Sequence, residues 1–151
     1  MKETKLTVQR RTQKGSASAG RLRRTGWFPG VVYGEGRPGL DIQLNEHDFV
    51  MMLRKHRSEN MIVDLAVEGQ EKPIKAMLKA MQHHPMTGRV LHVDFYEVSM
   101  TRRIQIEVPI LLVGTPVGVA KEGGILEHVH RTLEVQCLPG DLIEEFPLDV
   151  T

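Results

Sequence analysis

The sequence predicts a mainly β fold with a few short helices, in which an N-terminal six-stranded β-barrel precedes a second β-rich domain. Short apolar segments that alternate with polar residues recur through the first 97 residues, and only one segment there has a clear helical period. Strands this short and closely spaced, with one helix between them, are typical of a small barrel. The composition, with 40% hydrophobic and 26% charged residues, is that of a folded globular protein.

Six segments of the first region are predicted as strands. Apolar and polar residues alternate in them, as where Leu6 and Val8 share one face, or β-branched residues dominate. The segments are residues 4–10, 27–34, 40–45, 62–67, 74–81 and 89–98. The fourth and fifth segments form a hairpin that turns at Gly69.

Two further segments complete the first region. Residues 11–24 are predicted as a loop because they contain Gly and Ser, and only residues 19–24 add a helical turn. Residues 46–56 are predicted as a helix with Asn45 as its N-cap. Its core-facing positions recur at helical spacing and are Phe49, Met52, Leu53 and His56. At the end of the helix, His56 is expected to interact with the helix dipole or to be a hydrogen-bonded boundary residue.

After Val98 the character of the sequence changes. Residues 102–114 and 132–139 are predicted strands, joined through a Pro- and Gly-rich connection at 115–124. We therefore expect two domains, residues 1–97 and residues 98–151. The second is expected to be incomplete, because it is too short for a comfortable core and ends in a strand-like segment.

Charge is distributed unevenly along the chain. The first 34 residues carry eight Lys or Arg against one acid, a net charge of +7, whereas residues 98–151 carry four bases against eight acids, a net charge of −4. A basic face at one end of a nearly neutral protein indicates either a polyanionic partner or an ordinary solvated surface.

Several classes of protein are disfavoured. The single cysteine, Cys137, excludes an internal disulfide and a cysteine-rich zinc site, and is expected to be a buried, inert thiol. No secretory signal or bilayer-spanning run is recognised, which predicts a cytoplasmic protein. Residues 34–39, "GEGRPG", match a dinucleotide fingerprint, but an alternating strand follows instead of a helix. Its three glycines are expected to permit positive φ in a hairpin turn.

A cluster of polar residues at 82–95, "QHHPMTGRVLHVDF", leaves several interpretations open. His92 and Asp94 share a strand face, so that His84 or its neighbour would complete a three-ligand metal site across the connection. Acid–base catalysis would also need a pocket and a second reacting group. The remaining interpretations are hydrogen-bonded surface histidines, or RNA recognition in which Gln, His and Asp contact base edges while Arg and Lys contact phosphates.

Three separated motifs resemble one bacterial family. They are "RLRRTGWFPGVVYG" (21–34), "QHHP" (82–85) and "LHVDF" (91–95), in the order and spacing of the large-subunit ribosomal protein numbered twenty-five, which binds 5S rRNA. Residues 108–139 are similar to the first half of the second β domain in the longer general-stress (CTC) form of that family. The resemblance implies a structural ribosomal protein whose barrel packs on the minor groove of 5S rRNA, with neighbouring large-subunit proteins as further partners.

The resemblance also assigns the site. RNA-binding positions fall on Arg11, Lys14, Arg21, Arg23, Tyr33, Gln82, His83, His92 and Asp94. It implies no catalytic residue, cofactor, metal, membrane or small-molecule substrate. Gly20 and Ala80 depart from the family pattern. The alternatives are a metal-dependent hydrolase using His84, His92 and Asp94, and a stress protein that binds transfer RNA and a protein partner.

Overall fold

A computed structural model describes residues 4–34, 36–56 and 60–151, and its first part is the predicted six-stranded barrel. The strands are β1 (Thr4–Arg10), β2 (Trp27–Gly34), β3 (Arg37–Asn45), β4 (Ile62–Val67), β5 (Ile74–His83) and β6 (Val90–Glu97). They close in the order β1-β3-β2-β6-β5-β4, with parallel pairs β1–β4 and β2–β6 and antiparallel neighbours elsewhere. The fold class predicted from alternation is therefore confirmed.

The inward residues of each strand fill the barrel. Alternate positions of β1 and β3 are buried, as predicted for Leu6, Val8, Ile42 and Leu44. Phe49, from the helix that follows β3, packs against this core. Its ring centroid lies 5.2 Å from that of Phe28 and 6.5 Å from that of Phe95. A closed sheet has no free edge, so the outward side chains stand on a rigid frame.

The helix α1 (Ser16–Arg24) corrects the prediction of a loop at 11–24. Gly15, with φ 102°, precedes the helix, and Ala19 is buried where α1 packs on β2. Gly20 lies within the helix although glycine has a low helix propensity. Tertiary packing therefore overrides the local Gly and Ser signal at this site.

The helix α2 (Glu46–Lys55) confirms the prediction for 46–56 to within one residue. Asn45 is the N-cap, and its Oδ1 accepts hydrogen bonds from the backbone N–H of His47 at 3.0 Å and of Asp48 at 3.3 Å. His56 follows the helix as its C-cap, and its Nε2 lies 2.8 Å from Oγ1 of Thr4. It is thus a hydrogen-bonded boundary residue, one of the two roles expected for it.

The segment "GEGRPG" joins two antiparallel strands, β2 and β3, as expected of a hairpin. Of its three glycines, however, only Gly36 has a positive φ, 78°. Gly34 answers a different need, since a Cβ there would lie 2.9 Å from Cβ of Glu97. The prediction that all three glycines permit positive φ was therefore wrong.

The second part of the chain is a small sheet of order β8-β7-β9. Its strands are β7 (Ile104–Val113), β8 (Thr132–Cys137) and β9 (Phe146–Asp149). β8 pairs with β7 in an antiparallel manner and β9 in a parallel one. The connection at 115–124 contains a six-residue helix, α3 (Val117–Glu122), which the Pro and Gly content did not predict.

One face of the second sheet is apolar and only partly covered. Ile104, Ile106 and Val108 are buried in a cluster that includes Met77 and Val98 of the barrel side. Towards the other end of the same face the apolar residues are open, as Leu133, Phe146 and Leu148 are about 40% exposed. Cys137 is half-buried against the cluster, less enclosed than predicted.

Among the described residues, no helix has both the length and the apolar character needed to cross a bilayer.

Candidate nucleic-acid interface

Three adjacent strands bring four of the nine predicted site residues to one outer face of the barrel. Gln82 of β5 lies opposite His92 of β6, and Asp94 lies opposite Val31 of β2. Tyr33 is two positions beyond Val31 and therefore points the same way. We call the set of Tyr33, Gln82, His92 and Asp94 the polar wall.

His92 and Asp94 form a direct pair at the centre of the wall. Nδ1 of His92 lies 2.7 Å from Oδ1 of Asp94, and each side chain is about one third exposed. Because the contact engages Nδ1, Nε2 is the ring nitrogen that is left for an external partner. The second carboxylate oxygen can accept a hydrogen bond from outside the protein.

Tyr33 presents a hydroxyl beside this pair. Its ring makes an edge-on contact with Tyr96, with centroids 5.8 Å apart and an interplanar angle of 71°. Burial, followed by the negative charge of Asp94 and by Tyr96, raises the pKa of the Tyr33 hydroxyl above its ordinary value. The hydroxyl is thus protonated at neutral pH and can donate a hydrogen bond.

The turn between β5 and β6 explains the two adjacent histidines. His84 uses Nδ1 to accept hydrogen bonds from the backbone N–H of Met86 and of Thr87, both at 3.2 Å. His83 is exposed, with Nδ1 3.2 Å from the carbonyl oxygen of Gly88. Nδ1 of His84 is thus occupied by the turn, and His84 does not join His92 and Asp94 in the metal site that was considered.

Within the residues that the structure describes, no group of three or more His, Cys, Asp or Glu side chains is arranged to hold a metal ion.

The basic N-terminal segment lies beside the wall. Lys14 forms an ion pair with Asp41, with Nζ 2.7 Å from Oδ2, and Asp41 is opposite Val31, which is itself opposite Asp94. The backbone N–H of Arg11 donates to the carbonyl oxygen of Asp41 at 2.9 Å. Lys14 therefore reaches β3, which is separated from the strand of the His–Asp pair, β6, by β2 alone.

An open cleft of about 430 Å³ lies between the end of β1 and α1. Arg10, Arg11 and Arg21 line it together with Gln13, Ser18 and Gln43. The sequence prediction named Arg11 and Arg21 but missed Arg10. Arg10 ends β1 and is followed directly by Arg11 and the basic segment after it, which is the signal that pointed to Arg10.

Arg23 has a different environment from Arg21. Its guanidinium donates to the carbonyl oxygen of Leu91, from Nε at 3.2 Å and from one Nη at 2.8 Å. Leu91 directly precedes His92, so this contact joins α1 to the central strand of the wall. Arg21 is exposed and has its charge directed to the surface.

Comparisons with known proteins agree with this architecture. The model of the Ribosomal L25p family matches residues 6–95, and that of the ribosomal protein TL5 C-terminal domain matches residues 103–151. A protein named large ribosomal subunit protein bL25 from Desulfatibacillum aliphaticivorans is 40% identical over 151 residues, which cover all of this chain and 69% of the relative. Proteins of the same name from Moorella thermoacetica and Syntrophobacter fumaroxidans are 39% and 37% identical, over 73% and 75% of their lengths and 100% and 99% of this chain.

Proposed function

The chain belongs to the Ribosomal L25p family of large-subunit ribosomal proteins, and from this premise we propose that it is a non-enzymatic ribosomal component that binds 5S rRNA. The polar wall and the neighbouring cations form the proposed contact surface. The observation that carries the proposal is the shared side of the barrel: Arg23 of the basic helix α1 is hydrogen-bonded to Leu91, next to the His92–Asp94 pair.

The shape of the wall suits the minor groove of an A-form RNA helix. That groove is wide and shallow and displays 2′-hydroxyls and base edges, so the outer face of a barrel can lie along it. The wall offers the donors and acceptors such a surface needs: the Tyr33 hydroxyl, the Gln82 amide, Nε2 of His92 and the Asp94 carboxylate. An acid in an RNA site repels phosphates, and Asp94 is therefore assigned to a base edge or to holding His92.

The cations take the complementary role. Arg11, Lys14 and Arg21 are assigned to phosphates, and Arg10 joins them because it lines the same cleft as two of these. Lys14 remains exposed while paired with Asp41, so its charge can reach RNA. Arg23 is assigned to holding α1 against the wall strand β6, since two of its nitrogens donate hydrogen bonds to the carbonyl oxygen of Leu91. His83 is assigned to the rim of the surface.

The second part of the chain is assigned to other contacts. Residues 98–151 carry a net charge of −4, which disfavours close contact with phosphates. We assign residues 1–97 to RNA and residues 98–151 to neighbouring ribosomal proteins or solvent, as two domains. Assembly into the ribosome would place the protein in the cytoplasm.

Competition gel shifts with 5S rRNA and an unrelated RNA of equal length test the proposal. With the four assigned cations contacting phosphates, the logarithm of the binding constant should fall with the logarithm of salt concentration by a slope of roughly −4. Preference for 5S rRNA and co-sedimentation with large subunits at moderate salt support the proposal. Equal affinity for both RNAs, or binding without salt dependence, would contradict it.

A further inference from the structure

Two arginines cross between α1 and the start of β6. The Arg23 guanidinium donates to the carbonyl oxygen of Leu91, and the Arg89 guanidinium donates from Nη2 to the carbonyl oxygen of Arg23 at 3.1 Å. Each arginine thus binds the main chain of the segment that carries the other. Two such contacts in opposite directions restrict both the distance and the rotation between the helix end and the strand.

Glu46 holds Arg89 in place. Its carboxylate accepts from Nε of Arg89 at 3.1 Å and from Nη2 at 2.6 Å, a two-point contact with fixed geometry. The backbone N–H of Glu46 also donates to the carbonyl oxygen of Gly26, just after α1, at 2.9 Å. We call Arg23, Glu46, Arg89 and Leu91 the arginine clamp, which joins α1, the start of α2 and the start of β6.

The clamp lies beside the proposed RNA surface, where an acid is electrostatically unfavourable. Leu91 is adjacent to His92, and Arg23 is two residues from Arg21. An acid so near a polyanion weakens binding through its charge alone. Glu46 therefore needs another role there, and the geometry supplies one, because its side chain is only 22% exposed and directs Arg89 towards α1.

We propose that Glu46 and Arg89 are positioning residues of the RNA-binding surface, which hold α1 at a fixed distance and angle from the His92–Asp94 pair. The inference rests on the proposed function. It assigns Arg89, a cation beside the wall, to contacts within the protein rather than to a phosphate.

Glu46→Gln tests the proposal because charge and position predict opposite signs. Removal of an acid beside RNA should leave affinity for 5S rRNA unchanged or raise it. Loss of the clamp should instead lower affinity, by roughly threefold to tenfold, with an unchanged salt slope. Asp48→Asn is the matched control, since Asp48 is an exposed acid in the same helical turn, and it should not weaken binding. Unchanged or tighter binding by Glu46→Gln would overturn the proposal.

Arg89→Lys separates positioning from direct phosphate contact. Lysine keeps the charge but cannot bridge Glu46 and the Arg23 carbonyl at once with the planar geometry of arginine. Positioning predicts the same loss of affinity as Glu46→Gln, and the double variant should lose little more than either single one. A wild-type affinity for Arg89→Lys, together with a salt slope reduced by about one unit in Arg89→Gln, would make Arg89 a phosphate ligand instead.

A measurement without RNA keeps this inference separate from the proposed function. The Nε–H groups of Arg23 and Arg89 are both donors, so both should exchange slowly with water in nitrogen-15 spectra of the full chain. Glu46→Gln should speed exchange of both, while Asp48→Asn should affect neither. Rapid exchange of both groups in the wild type would overturn the clamp. Absence of preference for 5S rRNA in the wild type, with slow exchange retained, would overturn the proposed function alone.

Discussion

The barrel and the second sheet bury their apolar residues in different ways. In the barrel each strand has two neighbours, and its inward residues are enclosed by the opposite wall, as for Val8, Ile42 and Val63, which have no exposed surface. The second sheet has only three strands, and its apolar face is enclosed only where Ile104, Ile106 and Val108 meet Met77 and Val98. Its far end remains open to solvent.

The difference teaches where a recognition surface can be held in position. A closed barrel fixes each outward side chain relative to those on the neighbouring strands, because no strand can slide without breaking two ladders. His92 has such neighbours in β2 and β5. In the second sheet, β8 and β9 are each paired on one side only.

The largest expected effect compares two phenylalanines. Phe49→Ala should lower the free energy of unfolding of the barrel by about 3–5 kcal/mol, because the ring is fully buried between Phe28 and Phe95. Phe146 in β9 is 39% exposed, so Phe146→Ala should lower the free energy of unfolding by about 1 kcal/mol or less. Denaturant unfolding followed by fluorescence of Trp27 measures both. Similar losses at the two positions would remove the distinction between the regions.

A smaller effect compares two histidines. His92→Ala should reduce the preference for 5S rRNA over unrelated RNA by about 1–3 kcal/mol, on the scale known for base contacts in DNA. Asp94→Ala should act similarly, because it holds Nδ1 of His92. His130→Ala, an exposed histidine in the second region, is the control and should have no effect. Competition gel shifts measure the preference, and an equal loss on both RNAs would refute a base-reading role.

The two regions also carry comparable arginines. Arg21→Ala should weaken binding to every RNA and make the salt slope less steep by about one unit, if it contacts a phosphate. Arg131→Ala removes an exposed cation from the second region and should change neither quantity. Titrations at several salt concentrations give both slopes. A larger change of the salt slope in Arg131→Ala than in Arg21→Ala would instead assign the phosphate contacts to the second region.

The smallest effect concerns pH and separates two carboxylates. The hydrogen bond from Arg89 lowers the pKa of Glu46 in the folded protein, and the Thr151 hydroxyl and backbone N–H lower the pKa of Asp149. A carboxyl group whose pKa is lower in the folded protein than in the unfolded chain stabilises the fold at pH values above its unfolded pKa, which is near 4.5 for Glu46. This stabilisation is lost as the pH falls through the pKa of the folded state.

The difference in melting temperature between wild type and Glu46→Gln should therefore be present at pH 6 and shrink in more acidic buffer. Asp149→Asn should leave the barrel transition unchanged at every pH, because Asp149 is fully exposed in β9. Melting curves across this pH range measure both variants. A difference for Glu46→Gln that grows on acidification would have the wrong sign.

Sequence patterns predicted the barrel because alternation is a local property. β1, β2 and β4 have the predicted bounds, and α2 follows from its cap and its apolar period. α1 was missed because its stability comes from packing on β2, which local propensity does not contain. The resemblance selected Arg23 and His92, but it gave no indication that Arg23 binds Leu91, 68 residues away. The pairing of Glu46 with Arg89, 43 residues apart, likewise depends on the closed topology.

The central claim is that one side of the barrel binds 5S rRNA, and chemical-shift mapping on the full chain tests it most directly. On titration with a 5S rRNA fragment, the largest changes should fall on Gln82, His92, Asp94 and Arg21, whereas residues of β8 and β9 should change little. Changes centred on the second sheet, or on the side of the barrel opposite His92, would contradict the claim.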